Sequence, residues 1–331
     1  MRGIQGERDL IGSESLEVGK GGLPPPLIQV MNEKFFSVNS EIESALAAKR
    51  AVVALESTVI AHGLPRPQNL ETAQRLEQIV RKQAVIPATI AVLQGKLCVG
   101  LDDSQIEQIA NSDDIKKLST RDLAIAVARG WDGATTVAAT MWIAHRAGIQ
   151  VFATGGIGGV HGGPVPDVSA DLPELARTPM IVVCSGAKIV LDLPATREWL
   201  ETFGTAVVGY GCDEMPAFYS RQSGLPVDAR CDSPEEVIKI FATQRALGLE
   251  NALLVTVPVP AEVEVPLKTL TRILDESLRD AEQARVTGRD LTPFLLTRMA
   301  ERSEGATLRA NIALLENNAR VAAEIAVALA S

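Results

Sequence analysis

Three apolar runs in this 331-residue chain end in side chains that could do chemistry. Val52-Val-Ala-Leu55 runs into Glu56, and Val151-Phe-Ala153 runs into Thr154 and a glycine cluster, Gly155-Gly-Ile-Gly-Gly159. Ile181-Val-Val-Cys184 leads through Ser185-Gly-Ala to Lys188. In sheets of parallel strands, reactive groups gather beyond the carboxyl ends of the strands. A carboxylate and a lysine converging in an apolar site make an acid/base paired with an amine nucleophile. Burial disfavours the charged form of a lysine, so it can attack a carbonyl carbon as a neutral amine. The structural alternatives are a capping role for Glu56 on the next turn, and a helix-capping or surface position for Lys188.

The glycine cluster reads either as an anion cradle, with backbone N–H groups free to approach a phosphate, or as a tight loop beneath a neighbouring element. It lacks the spacing of a dinucleotide fingerprint, and the chain has no Gly-Lys-Ser/Thr phosphate loop. Gly133-Ala-Thr-Thr136 before a helical pattern is a second anion candidate, or simply an N-cap. Asp167 and Asp171 flank Ser169. One such carboxylate could hold Mg²⁺ or Mn²⁺ together with water and substrate oxygens, whereas a helix N-terminus would explain both acids without a metal. The three histidines are not at metal-pair spacing. His145 falls in a helical pattern and reads as structural, while His62 and His161 fall in loops beside the strand ends.

The elements that must position these groups alternate. Strand patterns cover 51–55, 88–93, 149–153, 180–184, 206–209 and 252–257. Helical periodicity covers 71–83, 104–110, 121–128, 135–147, 197–203, 234–247, 267–286 and 307–330. Alternating strands and helices predict an α/β class with a largely parallel sheet, as one domain over 39–331. Residues 1–38, Gly- and Pro-rich with no periodicity, read as a flexible tail.

Composition narrows the function. Acidic residues outnumber basic ones 41 to 32, a net charge of −9, which argues against the basic face needed to bind a nucleic acid polymer. No apolar run reaches the roughly 20 residues of a membrane span. Aromatics make up 4% of residues, so the core must come from Ala, Val, Ile and Leu. The four cysteines lack zinc spacing and are too few for a disulfide framework. With acids among the first residues and no apolar signal segment, the expectation is a reducing compartment, the cytoplasm.

Longer motifs carry a family resemblance. Ala54-Leu-Glu-Ser-Thr58, His62-Gly-Leu-Pro65 and Pro67-Gln-Asn69 resemble the pseudouridine-5′-phosphate glycosidases, or pseudouridylate synthases. So do Pro87-Ala-Thr-Ile90, Gly133-Ala-Thr-Thr-Val137, Thr154-Gly-Gly-Ile-Gly-Gly-Val-His161, Ser169-Ala-Asp171, Thr292-Pro-Phe-Leu295, Asn311-Ile-Ala-Leu314 and Asn317-Asn318. The likeness runs from about Leu46 to the C-terminus. It implies a three-layer α/β/α fold of the indigoidine-synthase-A-like kind, and a lyase that reversibly cleaves pseudouridine 5′-phosphate to uracil and ribose 5-phosphate.

The resemblance also implies roles. Lys188 matches the lysine that holds C1′ of the ring-opened sugar as a Schiff base, and Glu56 matches the proton-transferring glutamate. Asp167 matches an aspartate linked to Mn²⁺, one ion per subunit. Lys117, Val137, Thr154, His161, Ser169, Ala170, Asp171 and Asn311 match the substrate-binding positions, and a homotrimer is implied. Lys116 or Arg121 could share the role of Lys117.

One departure stands out. Relatives usually carry an arginine after the histidine matching His161, and a loop longer by two residues before the aspartate. That keeps open a C-glycosynthase joining ribose 5-phosphate to an aromatic aglycone. A non-catalytic sugar-phosphate binder is a third possibility, disfavoured because it would leave Glu56 and Lys188 without a purpose.

Overall fold

The computed structural model describes residues 34–162, 167–286, 288 and 291–331. In chain order the first half comprises β1 (Phe36–Val38), α1 (Ser40–Ala47), β2 (Val52–Glu56), a π-helical turn (Val59–Gly63), α2 (Gln68–Arg81), β3 (Ile86–Leu93), β4 (Lys96–Val99), α3 (Asp103–Asn111), β5 (Lys116–Leu118), α4 (Thr120–Arg129), β6 (Gly133–Thr135) and α5 (Val137–Arg146). Then come β7 (Val151–Ala153), β8 (Val160–His161), β9 (Asp167–Val168), α6 (Asp171–Leu175), β10 (Ile181–Cys184), α7 (Leu193–Thr202), β11 (Ala206–Tyr210), β12 (Ala229–Cys231), α8 (Pro234–Ala246) and β13 (Leu253–Thr256). Three helices close the chain, α9 (Leu267–Gln283), α10 (Leu291–Arg302) and α11 (Ala306–Ala330).

The main sheet runs β1-β4-β3-β2-β7-β10-β13-β11-β12, with β6 against β3 and β5 against β6. Its described pairings are parallel except β3 with β4 and β3 with β6. Every residue of β2, β3, β7, β10 and β13 is buried. Successive strand residues point to opposite faces, so both faces of the sheet are covered. Helices therefore flank a central sheet in a three-layer α/β/α arrangement. One apolar cluster runs from Ile42 to Ala326, and a smaller one lies under α3. Alanines along α11 let this helix lie close over β2, β7 and β10. Among the described residues no helix is long and apolar enough to cross a membrane.

The register of β2, β7 and β10 positions the candidate residues. Val151 of β7 lies opposite Val53 of β2 on one side and Ile181 of β10 on the other, all parallel. The carboxyl ends of three neighbouring strands thus share one edge, and the runs leading to Glu56, Thr154 and Lys188 all finish there.

Several boundaries differ from the sequence expectations. The expected tail ends inside the sheet, because Phe36–Val38 pairs in parallel with Leu97–Val99; residues 1–33 lie outside the described residues. The helix expected from 135 begins at Val137. Thr135 is instead the last residue of a strand, fixed by Ala134 pairing with Ala91 and by its own hydroxyl donating to the Ile90 carbonyl. Helix α7 starts four residues early, at Leu193, where Asp192 caps it and Pro194 occupies its first turn. Strands β5, β6 and β12 and helix α10 have no counterpart in the periodicity, being short or weakly amphipathic.

Candidate functional site

Glu56 is the last residue of β2 and is buried, 9% exposed. Its Oε1 accepts a hydrogen bond from the Thr154 hydroxyl, just past β7. Lys188 reaches back from the loop after β10, and its Nζ donates to the Gly156 carbonyl. Glu56, Gly156 and Lys188 line the same cavity, of about 470 Å³. That volume suits a small-molecule ligand.

The glycines here serve packing first. A Cβ on Gly158 would collide with Ser169, and Gly186 has φ +78° with the Pro216 carbonyl where a Cβ would go. Gly158 N–H donates to the Asp171 carboxylate at 2.8 Å, and Ile157 N–H donates to the Gly186 carbonyl at 3.0 Å. The cluster is therefore a tight loop beneath its neighbours that also presents Gly155, Gly156 and Gly158 to the cavity.

Asp171 holds two elements together. Besides Gly158, its carboxylate accepts from the backbone N–H of Ala138 at 2.9 Å, in the first turn of α5. A negative charge is favoured at a helix N-terminus, so Asp171 braces α5 against the glycine loop. Ser169 Oγ in turn accepts from the Asp171 N–H at 3.2 Å. The helix-cap interpretation of this segment does not hold for Ser169, since Ala170 is the N-cap of α6 and has no side-chain cap bond, while Asp171 serves the N-terminus of a different helix.

Of the substrate-binding positions expected from the sequence, Lys117, Val137, His161, Ser169, Ala170, Asp171 and Asn311 line the cavity. Thr154 does not; it stands behind Glu56, 2% exposed, with its hydroxyl given to that carboxylate. His62 and Arg121, the residues left open, also line the wall, as do Thr58, Ser119, Thr136 and Thr292. Thr58 and Thr292 had motif membership as their only signal, Thr136 also stood in the anion-or-cap candidate at 133–136, and Ser119 had no signal, since single hydroxyls in turns look alike in sequence. His145 on α5 is half-buried and away from the cavity, as expected of a structural histidine.

Burial pushes the Glu56 carboxyl above its ordinary 4.5, opposed by the Lys188 charge and the Thr154 hydrogen bond. Burial lowers the His161 imidazole, against the pull of Asp167. Cys184, fully buried beneath the Lys188 loop, is pushed up to about 12 by burial and is an inert packing thiol. All four cysteines are free.

Asp167 faces His161 across the β8–β9 hairpin and is exposed at the cavity. The middle of the shortened loop, 163–166, lies outside the described residues. Among the described residues no three His, Cys, Asp or Glu side chains gather as a metal cage. A lone exposed carboxylate fits a hard divalent cation that completes its shell with water and substrate oxygens.

Comparison with known proteins agrees with this architecture. Residues 41–328 match the family described as indigoidine synthase A like protein. A relative from Paracoccus denitrificans, named pseudouridine-5′-phosphate glycosidase, is 49% identical over 311 residues, 93% of this chain and 100% of its own. One of the same name from Herpetosiphon aurantiacus is 52% identical over 291 residues, 87% of this chain and 96% of its own. The crystal structure of an indigoidine synthase A-like protein from Thermotoga maritima superposes with TM-score 0.83 at 39% identity, covering 91% of this chain and 99% of that one. A prealnumycin C-glycosynthase in complex with ribulose 5-phosphate also gives TM-score 0.83, at 40% identity, covering 90% and 98%. With the family model spanning nearly all of the described chain, this protein belongs to the indigoidine synthase A like family.

Proposed function

We propose that this protein is a pseudouridine-5′-phosphate glycosidase, a lyase that reversibly converts pseudouridine 5′-phosphate and water to uracil and ribose 5-phosphate. The observation that carries the reading is the convergence of a protonatable Glu56 and the Lys188 amine on one cavity. Relatives near 50% identity bearing that name support it.

A carbon–carbon glycosidic bond offers no leaving oxygen to protonate. In the cleavage direction the C1′–O4′ bond of the ribose ring breaks as the Lys188 nitrogen bonds to C1′, and a proton of the attacking amine passes to O4′. The nitrogen lone pair then forms the C=N bond. The electron pair of the C1′–C5 bond passes to uracil C5, which takes a proton from Glu56. Water hydrolyses the imine, freeing ribose 5-phosphate and the Lys188 amine. Glu56, buried and held by Thr154, retains its proton to higher pH than an exposed carboxyl, as an acid in this step must.

Asp167 would hold one Mn²⁺ per subunit, mainly through water, and the ion would polarise and orient the phosphorylated sugar. Chelation by EDTA should then abolish turnover, with Mn²⁺ restoring it. A homotrimer is part of the same reading; a monomeric mass by light scattering would count against it.

The deciding experiment combines the protein with Mn²⁺, ribose 5-phosphate and uracil, with product followed by mass detection. A parallel sample is reduced with borohydride and its peptides mapped. Pseudouridine 5′-phosphate plus a ribose-phosphate adduct on Lys188 is expected. Neither product nor adduct would overturn the assignment. The short hairpin, where His161 is followed by Gly162, favours a second reading as a C-glycosynthase with another aglycone. An adduct without the nucleotide would select it.

A further inference from the structure

We propose that Asn318 is a positioning residue that sets the separation of the acid and the amine. The inference rests on the roles proposed above for Glu56 and Lys188. Asn318 lies on α11, is fully buried, and is not part of the cavity wall. Its Nδ2 donates to the carbonyls of Thr154 at 2.9 Å and Gly155 at 3.3 Å, and its Oδ1 accepts from the Ser185 hydroxyl at 3.2 Å. One side-chain amide therefore grips both loops of the site, the one after β7 and the one after β10. Ser185 N–H closes the link by donating to the Gly155 carbonyl at 2.9 Å.

What hangs from these two loops is the chemistry. The Thr154 hydroxyl holds Glu56, and the Gly156 carbonyl holds Lys188. The peptides from Thr154 to Gly156 thus set the direction of both supports, and Asn318 fixes those peptides. Its flanking buried positions on α11, Leu314, Leu315, Ala319 and Val321, are apolar. A buried amide among them is costly unless its donors and acceptor are used, and here they are. Small errors in the placement of reacting groups are expensive in rate even when substrate still binds.

The test compares Asn318→Leu, which keeps volume but removes all three bonds, with Ser185→Ala, which removes one. Expected for Asn318→Leu is a kcat at least tenfold lower with KM changed less than threefold. Borohydride trapping on Lys188 should slow, and the pH limb assigned to Glu56 should move. Ser185→Ala should show a smaller loss in the same direction. A folded Asn318→Leu protein with kcat within twofold of wild type and an unmoved limb would overturn the inference. If that variant does not fold, Ser185→Ala decides: lower kcat at unchanged KM supports positioning, and wild-type kinetics overturns it. A wild-type protein that forms no Lys188 adduct would instead sink the functional reading, and this inference with it.

Discussion

At the scale of single residues, burial makes Glu56 costly to the fold and suits it to the proton transfer proposed for it. Its carboxyl titrates above 4.5 in the folded chain, chiefly through desolvation. Between the unfolded and folded values the native state binds more protons, so stability falls as pH rises. The contribution is fully present below the unfolded pKa and is lost as pH passes the raised one. Glu56→Gln keeps an acceptor for Thr154 but never ionises. Its melting temperature is therefore expected to exceed wild type at pH 8, with the gap closing toward pH 5, while turnover is lost. A gap that stays constant with pH would show that charge burial is not the cause. Thr154→Val tests the partner. Its hydrogen bond favours the ionised carboxylate, so removing it raises the Glu56 pKa further. The alkaline limb of kcat for cleavage should shift to higher pH; a shift to lower pH would contradict the assignment. Glu56 and Lys188 were legible in the sequence because each follows an apolar strand. The hydrogen bond from Thr154 to Glu56 was not, since the two lie 98 residues apart.

At the scale of elements, the loop after β10 has to turn sharply to bring Lys188 back over the sheet edge. Gly186 makes that turn at φ +78°, where a Cβ would meet the Pro216 carbonyl. Gly186→Ala combines left-handed backbone strain with a clash against backbone that cannot rotate away. The cost expected from urea unfolding is at least about 2 kcal/mol, and Lys188, two residues on, should lose adduct formation as well. Full stability with full trapping would show that the loop has slack. The strand before this loop was readable as a run of β-branched residues. The glycines 155–159 of the loop after β7 were ambiguous, because cradle and tight packing ask for the same residue type. Only the collision a Cβ on Gly158 would make with Ser169 separates the two. Asp171 shows the same limit: an acid near a helix start is visible in sequence, but not that it serves α5, whose donating N–H, that of Ala138, is 33 residues earlier.

At the scale of the molecule, the site is assembled from parts far apart in the chain. Glu56 comes from the second strand, Lys188 from the middle, and Asn311 and Leu315 from the last helix. The alternation of strands and helices made the class legible. The strand order was not, because β2 and β10 meet β7 through crossovers that local periodicity does not encode. A ligand held by all three regions stabilises the native chain but finds no site in the unfolded one. Ribose 5-phosphate at a hundredfold excess over its Kd should therefore add about 2.7 kcal/mol to unfolding. For a chain of this size that is roughly 4 °C in melting temperature. Lys188→Ala should retain part of this shift, since the remaining wall still meets the sugar phosphate, but should lose borohydride trapping. If wild type shows no shift while trapping proceeds, the lysine is reacting as a surface amine, and the cavity joining the second strand to the last helix is not where the sugar sits.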